Sequence, residues 1–452
     1  MIDDTSRTPT RLIDVGSEDG EFVQLKLTRD TECLQWIALS YRWGDRPHFS
    51  TTRANIEHHI QGMKLKDLPE VFQDAISMTR GLGLRYLWID AVCIIQGEDG
   101  DFATESKRME YVYSDAYCVL AASYSNSLRL FHTRKDRSYV ALGADENHAG
   151  TIYACEMIDN FKDHVLDGPL GLRGWVLQEH ALARRTIFFT EHQTYWECGH
   201  GVRCETMAKM KNVSAALLGD PDFPKIMRPA EHGERILRYQ ELYQQYSRLG
   251  LTADYDRPAA IDGLERRLLR AMNVSGGFGV LDDPKNPGLL RRSLMWHRAA
   301  ETLRLIDFPG DREKVPSWSW MSVSGPIDYF RLNFSGYEWK DVQSPWSKAK
   351  DERTGNNIVA QASWLNVFEQ IGDSVIDIKL DMPGDTIQRQ LLAVTLGIEK
   401  GDQDLLDKRH CVLIVEAMSQ LDNLGHEVCM RVGAGVVAGK YLFGKRITCS
   451  II

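Results

Sequence analysis

The chain lacks any long apolar run. Among its 452 residues nothing approaches the length of a membrane span, so a membrane partner is not expected. It lacks a basic surplus: Lys and Arg number 54 against 63 Asp and Glu, for a net charge of −9, which argues against a nucleic-acid partner. The opening MIDDTSRTPT has neither a basic n-region nor an apolar h-region, so no secretory signal is expected. There is no CxxC pair. The nine cysteines are scattered at 33, 93, 118, 155, 198, 204, 411, 429 and 449. Several lie in apolar stretches, and they read as reduced core thiols of an intracellular, cytoplasmic protein. No GxGxxG follows a strand, which leaves a Rossmann-type dinucleotide site unsupported. No internal repeat or low-complexity tract stands out.

What remains is ordinary globular composition, 43% hydrophobic and 26% charged. The length exceeds what one core normally holds, so two domains, or one with a large extension, are expected. The most informative stretch is Tyr86 to Ala122. Tyr86 to Ile95 is almost unbroken apolar sequence, which predicts a strand buried on both faces. A polar turn, Gly97 to Asp101, follows. Phe102, Met109, Val112, Tyr113 and Ala116 then recur on one helical face, with Asp101 as N-cap. Tyr117 to Ala122 predicts a second buried strand, completing a βαβ unit. Two carboxylates stand out in it. Asp90 interrupts the apolar strand, and Glu105 shares the apolar helix face. A carboxylate facing inward costs free energy unless it is paired or used. Pairing of Glu105 with Arg108 is its structural explanation.

Upstream, Trp36 to Tyr41 predicts a strand running into the loop Arg42-Trp43-Gly44-Asp45. Phe22 to Leu27 suggests a short strand in a polar lead-in. Pro69 opens a helix carrying Val71, Phe72, Ala75, Ile76 and Leu82, which Gly81 and Gly83 end. Trp36 to Ala122 therefore reads β, α, β, α, β, an open parallel sheet. Ligands of such sheets sit beyond the strand carboxyl ends, where the Ser40–Asp45 and Gln96–Asp101 loops lie.

The blocks ALSYRWGD (38–45), LPEVFQDAI (68–76), LGLRYLWIDAVCIIQ (82–96), the spaced Asp101, Glu105, Met109, Tyr113 and Ala116, RGWVLQEHALARRTIFF (173–189) and YWEC (195–198) occur in order. On them the chain resembles fungal heterokaryon-incompatibility (HET) domain proteins. YSRLGLTADYDRPAAIDGL (246–264) and VPSWSWMSVSG (315–325) resemble segments that follow the domain in that family. The resemblance implies a role in self/non-self recognition and cell death. It also implies kinship with Toll/interleukin-1-receptor (TIR) domains, hence a TIR/flavodoxin-like open parallel sheet core with helical segments. Some TIR domains cleave the nicotinamide–ribose bond of NAD with a glutamate on the helix after the third strand. Glu105 is its counterpart by element order.

The expected site follows from this. Glu105 and Asp90 are the catalytic candidates. Ser40, Tyr41, Arg42, Trp43, Gly44, Gln96, Arg173 and Trp175 are the nucleotide-binding candidates, with Arg42 on a pyrophosphate and Trp43 stacked on a ring. Ser40 to Asp45, Asp90, Gln96 and Glu105 are expected to converge on one cleft. Asp90 also reads as a structural group holding Arg42 or a turn, and Arg173 as its partner or Glu105's. Gln178 and Glu179 share the helix start with Arg173 and Trp175. Cys198, His200 and Cys204 are too few for zinc without a CxxC pair, so no metal is assigned. His58-His59 reads as a solvated face.

The expected division is a lead-in (1–33), a HET domain (34–200), a helical region (201–325) and a β-rich C-terminal region (326–452) that packs on the first domain. Helices are expected over Glu231–Leu249, Arg257–Met272 and Leu289–Trp296. Pro316 to Trp320 predicts a strand with its tryptophans on one packed side. From Asn357 an antiparallel β unit is expected. As for partners, NAD is expected as substrate rather than cofactor, with no other cofactor. The alternatives are a non-catalytic module that signals by assembly as a homo-oligomer, and an enzyme recruited to small-molecule biosynthesis.

Overall fold

The computed structural model describes residues 7–28, 34–44, 49–124, 129–134, 138–142, 152–155, 157–210, 212, 232–310, 314–347, 355–366, 376–382 and 391–452. It divides into two compact units, Met1–Phe223 with Ala259–Leu264, and Pro224–Pro258 with Glu265–Ile452.

The first unit is built on a ten-stranded sheet. In chain order its strands are β1 (Arg11–Asp14), β2 (Phe22–Leu27), β3 (Trp36–Ser40), β4 (Met63–Lys64), β5 (Tyr86–Trp88), β6 (Cys118–Ala122), β7 (Arg185–Phe189), β8 (Thr194–Cys198), β9 (Gly201–Cys204) and β10 (Lys209–Met210). Across the sheet they run β10-β9-β8-β7-β6-β3-β5-β1-β2-β4. The central run β7-β6-β3-β5 is parallel. Every flanking pair is antiparallel. The sheet is therefore mixed rather than wholly parallel. The reason is loop length: short links such as the one from Phe189 to Thr194 cannot make the crossover that a parallel pair requires.

The parallel centre is apolar throughout. All of β3 and β6 is buried, as are Leu87 and Trp88 of β5. Each large side chain there contributes roughly 1.5–3 kcal/mol of burial. Helix α1 (Glu70–Gly81) buries Val71, Phe72, Ala75 and Ile76. It ends where Gly83 takes φ +71° and Leu84 N–H bonds the Thr79 carbonyl, a conformation that favours glycine.

The Tyr86–Ile95 strand is shorter than expected. Past Trp88 the chain turns into α2 (Asp90–Cys93) before a two-residue strand, Ile95–Gln96. Asp90 does not interrupt a strand. It opens a helical turn and accepts the Ala91 N–H at 2.7 Å. The single helix expected after Asp101 is broken into α3 (Phe102–Glu105), a 3-10 turn (Ser106–Arg108) and α4 (Met109–Ser114). Asp101 does not cap it with its side chain. That carboxylate instead accepts the Ile95 N–H and meets Arg11. Helix α5 (Gly174–Leu182) then leads to β7.

In the second unit, helices Ala259–Met272, whose first residues belong to the first unit, and α6 (His232–Ser247) fall where the pattern put them. So does α7 (Gly288–Leu294). Pro316 to Trp320 is not a strand but a turn entering a 3-10 segment, Trp320–Ser322, in which the Ser319 hydroxyl accepts the Met321 N–H. Trp318 and Trp320 are both fully buried, so the packing role holds in a different backbone. The C-terminal part is strand-rich, with an eight-stranded sheet including Ile358–Leu365, Leu391–Glu399, Arg409–Leu421, Glu427–Ala438 and Leu442–Ile451. It is antiparallel except for the last two of these, which pair parallel.

This sheet shares one apolar core with Val280, Leu290, Leu294, Met295 and Trp318. The other face of the sheet has its own cluster around Leu365, Leu391, Val412 and Ile414, but the larger core is completed only by residues before 326. Limited proteolysis should not release them as a stable soluble fragment; recovery of such a fragment, identified by mass spectrometry, would contradict the shared core.

Candidate functional site

The carboxyl ends of the parallel strands gather the titratable groups. Ser40 is the last residue of β3, and Asp90 lies just past β5. Helix α5 precedes a strand parallel to β6, so it returns antiparallel to the strands and brings its residues back over those ends. Ser40 Oγ donates to Glu179 Oε2 at 2.5 Å, across 139 residues of sequence. Trp43 Nε1 donates to Asp90 Oδ2 at 2.8 Å. The Tyr41 hydroxyl faces Asp90, and the Tyr113 hydroxyl faces Glu179. Arg173 Nη1 donates to the Tyr41 carbonyl at 3.2 Å and lies within electrostatic reach of both carboxylates. Gln96 Nε2 donates to the Asp90 and Ile94 carbonyls, both at 3.2 Å.

Exposure divides these residues into a rim and a floor. Tyr41, Trp43, Asp90, Gln96, Arg173 and Trp175 are partly exposed, and Arg42 and Gly44 are exposed. Ser40, Tyr113 and Glu179 are buried. Trp175 packs its ring edge-on to Phe102 at 5.7 Å, and Tyr41 stands edge-on to Phe72 at 5.3 Å. Asp45 lies outside the described residues.

Burial sets the electrostatics. It pushes Glu179 up to about 7, Asp90 adds to the rise, and the Ser40 hydroxyl, Arg173 and Tyr113 pull it down. Burial also raises Asp90, against the pull of Trp43, the Ala91 N–H, Arg173 and Tyr41. A buried carboxylate raised to about 7 beside a second one, with an arginine in electrostatic reach of both, can hold or release a proton near neutral pH.

Glu105 has other neighbours. It is buried, 6% exposed, and accepts the Thr10 hydroxyl at 2.7 Å. Arg108 Nη1 donates to the same hydroxyl at 2.7 Å. Arg11 reaches from β1 to the Cys93 carbonyl at 2.6 Å and to Asp101 at 2.5 Å. Burial raises the Glu105 carboxyl, while Thr10, Arg11 and Arg108 oppose the rise. Between the two groups lies Cys93, whose thiol burial pushes up to about 12 and which feels both Asp90 and Glu105. The structure thus brings Ser40, Tyr41, Trp43, Asp90, Gln96 and Arg173 together, and gives Glu105 partners on the β1 side.

Sequence reasoning named Glu179 beside Arg173 and Trp175 without giving it a role, and passed over Tyr113. The signal for Glu179 was present: it is a carboxylate in GWVLQEHAL, a helix buried on nearly every side. Tyr113 was hidden because its ring belongs to the apolar face. His59 is a correction. Far from a solvated face, it is 4% exposed, bonded to Thr51 at 2.9 Å and stacked on Phe49. Cys198 Sγ and His200 Nδ1 are 4.0 Å apart, whereas Cys204 turns to Thr206 and Asp159. Among the described residues no group of three or more potential ligands could hold a metal ion, and no helix is long and apolar enough to cross a membrane.

Residues 36–179 match the model of the Heterokaryon incompatibility protein (HET) family. The match runs from the first residue of β3 to Glu179 itself, and so includes both carboxylates of the strand-end cluster, Glu105 and Arg173. No curated protein and no solved structure matches the chain.

Proposed function

We propose that the strand-end cluster of this HET domain cleaves the N-glycosidic bond between nicotinamide and ribose in NAD, in the manner of a TIR-related domain. The observation that carries the reading is Glu179, buried, bonded to Ser40 and raised to about 7 beside Asp90. The C1′–N bond breaks, and its electron pair leaves with nicotinamide, which departs neutral and needs no acid. The ribosyl centre becomes oxocarbenium-like. An ionised Glu179 stabilises that charge and takes the proton of the water that adds at C1′. Asp90, fixed by Trp43 and the Ala91 N–H, holds a ribose hydroxyl. Trp43 offers a ring face and Arg42 an exposed cation for the pyrophosphate. Glu105 is a second candidate for the carboxylate role, supported by its burial and its place on the helix after β5. The biological setting that the HET match supports is recognition and cell death in the cytoplasm of a fungus.

The test is incubation of the purified chain with NAD, with nicotinamide and ADP-ribose separated by mass spectrometry. Release of both is expected. NAD left intact, by the protein alone and when artificially clustered, would hand the reading to signalling by assembly or to a biosynthetic reaction.

A further inference from the structure

One hydroxyl at the strand ends lacks a partner. Ser123 follows β6 directly, is 4% exposed, and its Oγ makes no hydrogen bond. Its backbone N–H donates to the Phe189 carbonyl at 2.9 Å and to the Ala121 carbonyl at 3.0 Å, so the chain turns at Ala122 and Ser123 is held beside β7. A buried hydroxyl without a partner is uncommon, because it has lost water and gained nothing in return.

Its place along the sheet can be read from register. Ser40 meets Glu179, and Ser40 pairs with Ala121. Ser123 is two residues beyond Ala121, and the turn at Ala122 shortens the step to roughly 5–6 Å along the strand direction. Gly174 and Trp175 are four to five residues before Glu179 on α5, roughly 6–7.5 Å back along the helix. Ser123 therefore reaches the level of the first turn of α5. Ala121 packs in one cluster with Val176 of the same helix, and alternation along the strand returns Ser123 to that side. Helix α5 has nine residues, and no side chain caps its first turn. Such an end carries partial positive charge and favours an anion. Arg173 stands immediately before it, within electrostatic reach of Asp90 and Glu179, and Arg42 lies on the exposed loop after β3.

We propose that Ser123 Oγ and the uncapped start of α5 cradle the pyrophosphate of the dinucleotide, with Arg42 and Arg173 as its rim cations. This rests on the NAD reading for the identity of the ligand, and deepens it by assigning where the phosphates lie. The Ser123 hydroxyl donates to a phosphate oxygen, and the helix N–H groups face the same anion.

The experiment measures binding of ADP-ribose and of inorganic pyrophosphate to the full chain by titration calorimetry, with adenosine as the phosphate-free control. Ser123→Ala should weaken ADP-ribose and pyrophosphate by about tenfold, the effect of losing one hydrogen bond to a charged group, and leave adenosine unchanged. Ser123→Thr, which keeps the hydroxyl, should restore binding. The melting temperature of Ser123→Ala should be equal to or above wild type, since the change removes an unpaired buried hydroxyl. A purely structural Ser123 would show the reverse: a lower melting temperature and unchanged affinity. Failure of the two readings can be told apart. Ser123-dependent binding of ADP-ribose by a protein that leaves NAD intact would retain the cradle and discard the cleavage. NAD cleavage with an unaltered KM in Ser123→Ala would retain the cleavage and overturn the cradle, as would a wild-type chain that binds no phosphate compound.

Discussion

On the proposed reaction, Glu179→Gln is expected to lower the rate of NAD cleavage by roughly a hundredfold or more, with the fold intact. Glutamine keeps the size of the side chain and a carbonyl that still accepts the Ser40 hydroxyl, but removes the charge that the oxocarbenium-like centre would feel. The site around Glu179 is largely closed to water, so a fixed charge there acts at low effective dielectric. Glu105→Gln is the comparison. Its carboxylate meets Thr10, within reach of Arg11 and Arg108, so the change should lower the melting temperature and the rate by less than tenfold. The opposite ranking of the two variants would move the reacting carboxylate to Glu105. The pH profile adds an independent reading. Glu179 titrates at about 7, so kcat/KM should rise with pH through that value and lose the limb in Glu179→Gln. Stability runs the other way. The folded carboxyl is raised above its ordinary value of 4.5, so its contribution is fully present below that value and lost as pH rises through about 7. Asp90 and Glu105 are raised as well and add in the same direction. His59, His164 and His410, lowered by burial, act in the opposite direction in every variant, so the measurable sign is the difference: Glu179→Gln should lose less stability, or gain more, than wild type between pH 5 and pH 8 in denaturant unfolding.

The centre of the first unit was legible because its strands are buried on both faces. Trp36–Ser40, Glu70–Gly81 and Cys118–Ala122 fall within a residue or so of the expected elements. The edges were legible only in part. Strand β2 falls on the short strand expected over Phe22 to Leu27, but β1 and β4 are four and two residues long, too short for periodicity to announce them. Arg11 shows what was lost. It sits in a polar lead-in, yet it is 5% exposed and ties the Cys93 carbonyl to Asp101. Those bonds are 82 and 90 residues apart in sequence, beyond any local pattern. The Tyr86–Ile95 run misled for a related reason: apolar burial is common to strand and helix, and composition could not reveal the turn at Asp90.

The site was legible by position and less so by role. The rule that ligands gather beyond strand carboxyl ends placed Ser40, Trp43 and Asp90 correctly as neighbours. It could not choose between carboxylates on two different helices. That choice depends on the partners each carboxylate meets, Ser40 for Glu179 and Thr10 for Glu105, which lie 139 and 95 residues away in sequence.

Asp381→Ala destabilises the second unit by roughly 3–5 kcal/mol, the cost of stranding a buried charge. The charge is Arg431, whose side chain is wholly buried. Its guanidinium bonds Asp381 through Nε at 3.0 Å, the Leu294 carbonyl at 2.7 Å and the Trp296 carbonyl at 2.5 Å. It lies 3.3 Å from the centroid of the Trp296 ring. Burial draws the Arg431 pKa down, and Asp381 holds it up. The arginine therefore joins the long strand Glu427–Ala438 to the end of α7 and the strand Trp296–Arg298. Removal of Asp381 leaves three of these contacts but no counter-charge, and the guanidinium must either stay unpaired or pull away from the carbonyls. The double change Asp381→Ala with Arg431→Met removes the charge as well as its partner. It should cost less than Asp381→Ala alone, because methionine still packs on Trp296 and strands no charge. Equilibrium unfolding of the two variants decides the matter: if the double variant is the less stable, the carbonyl contacts of Arg431, rather than its charge balance, hold this part of the unit together.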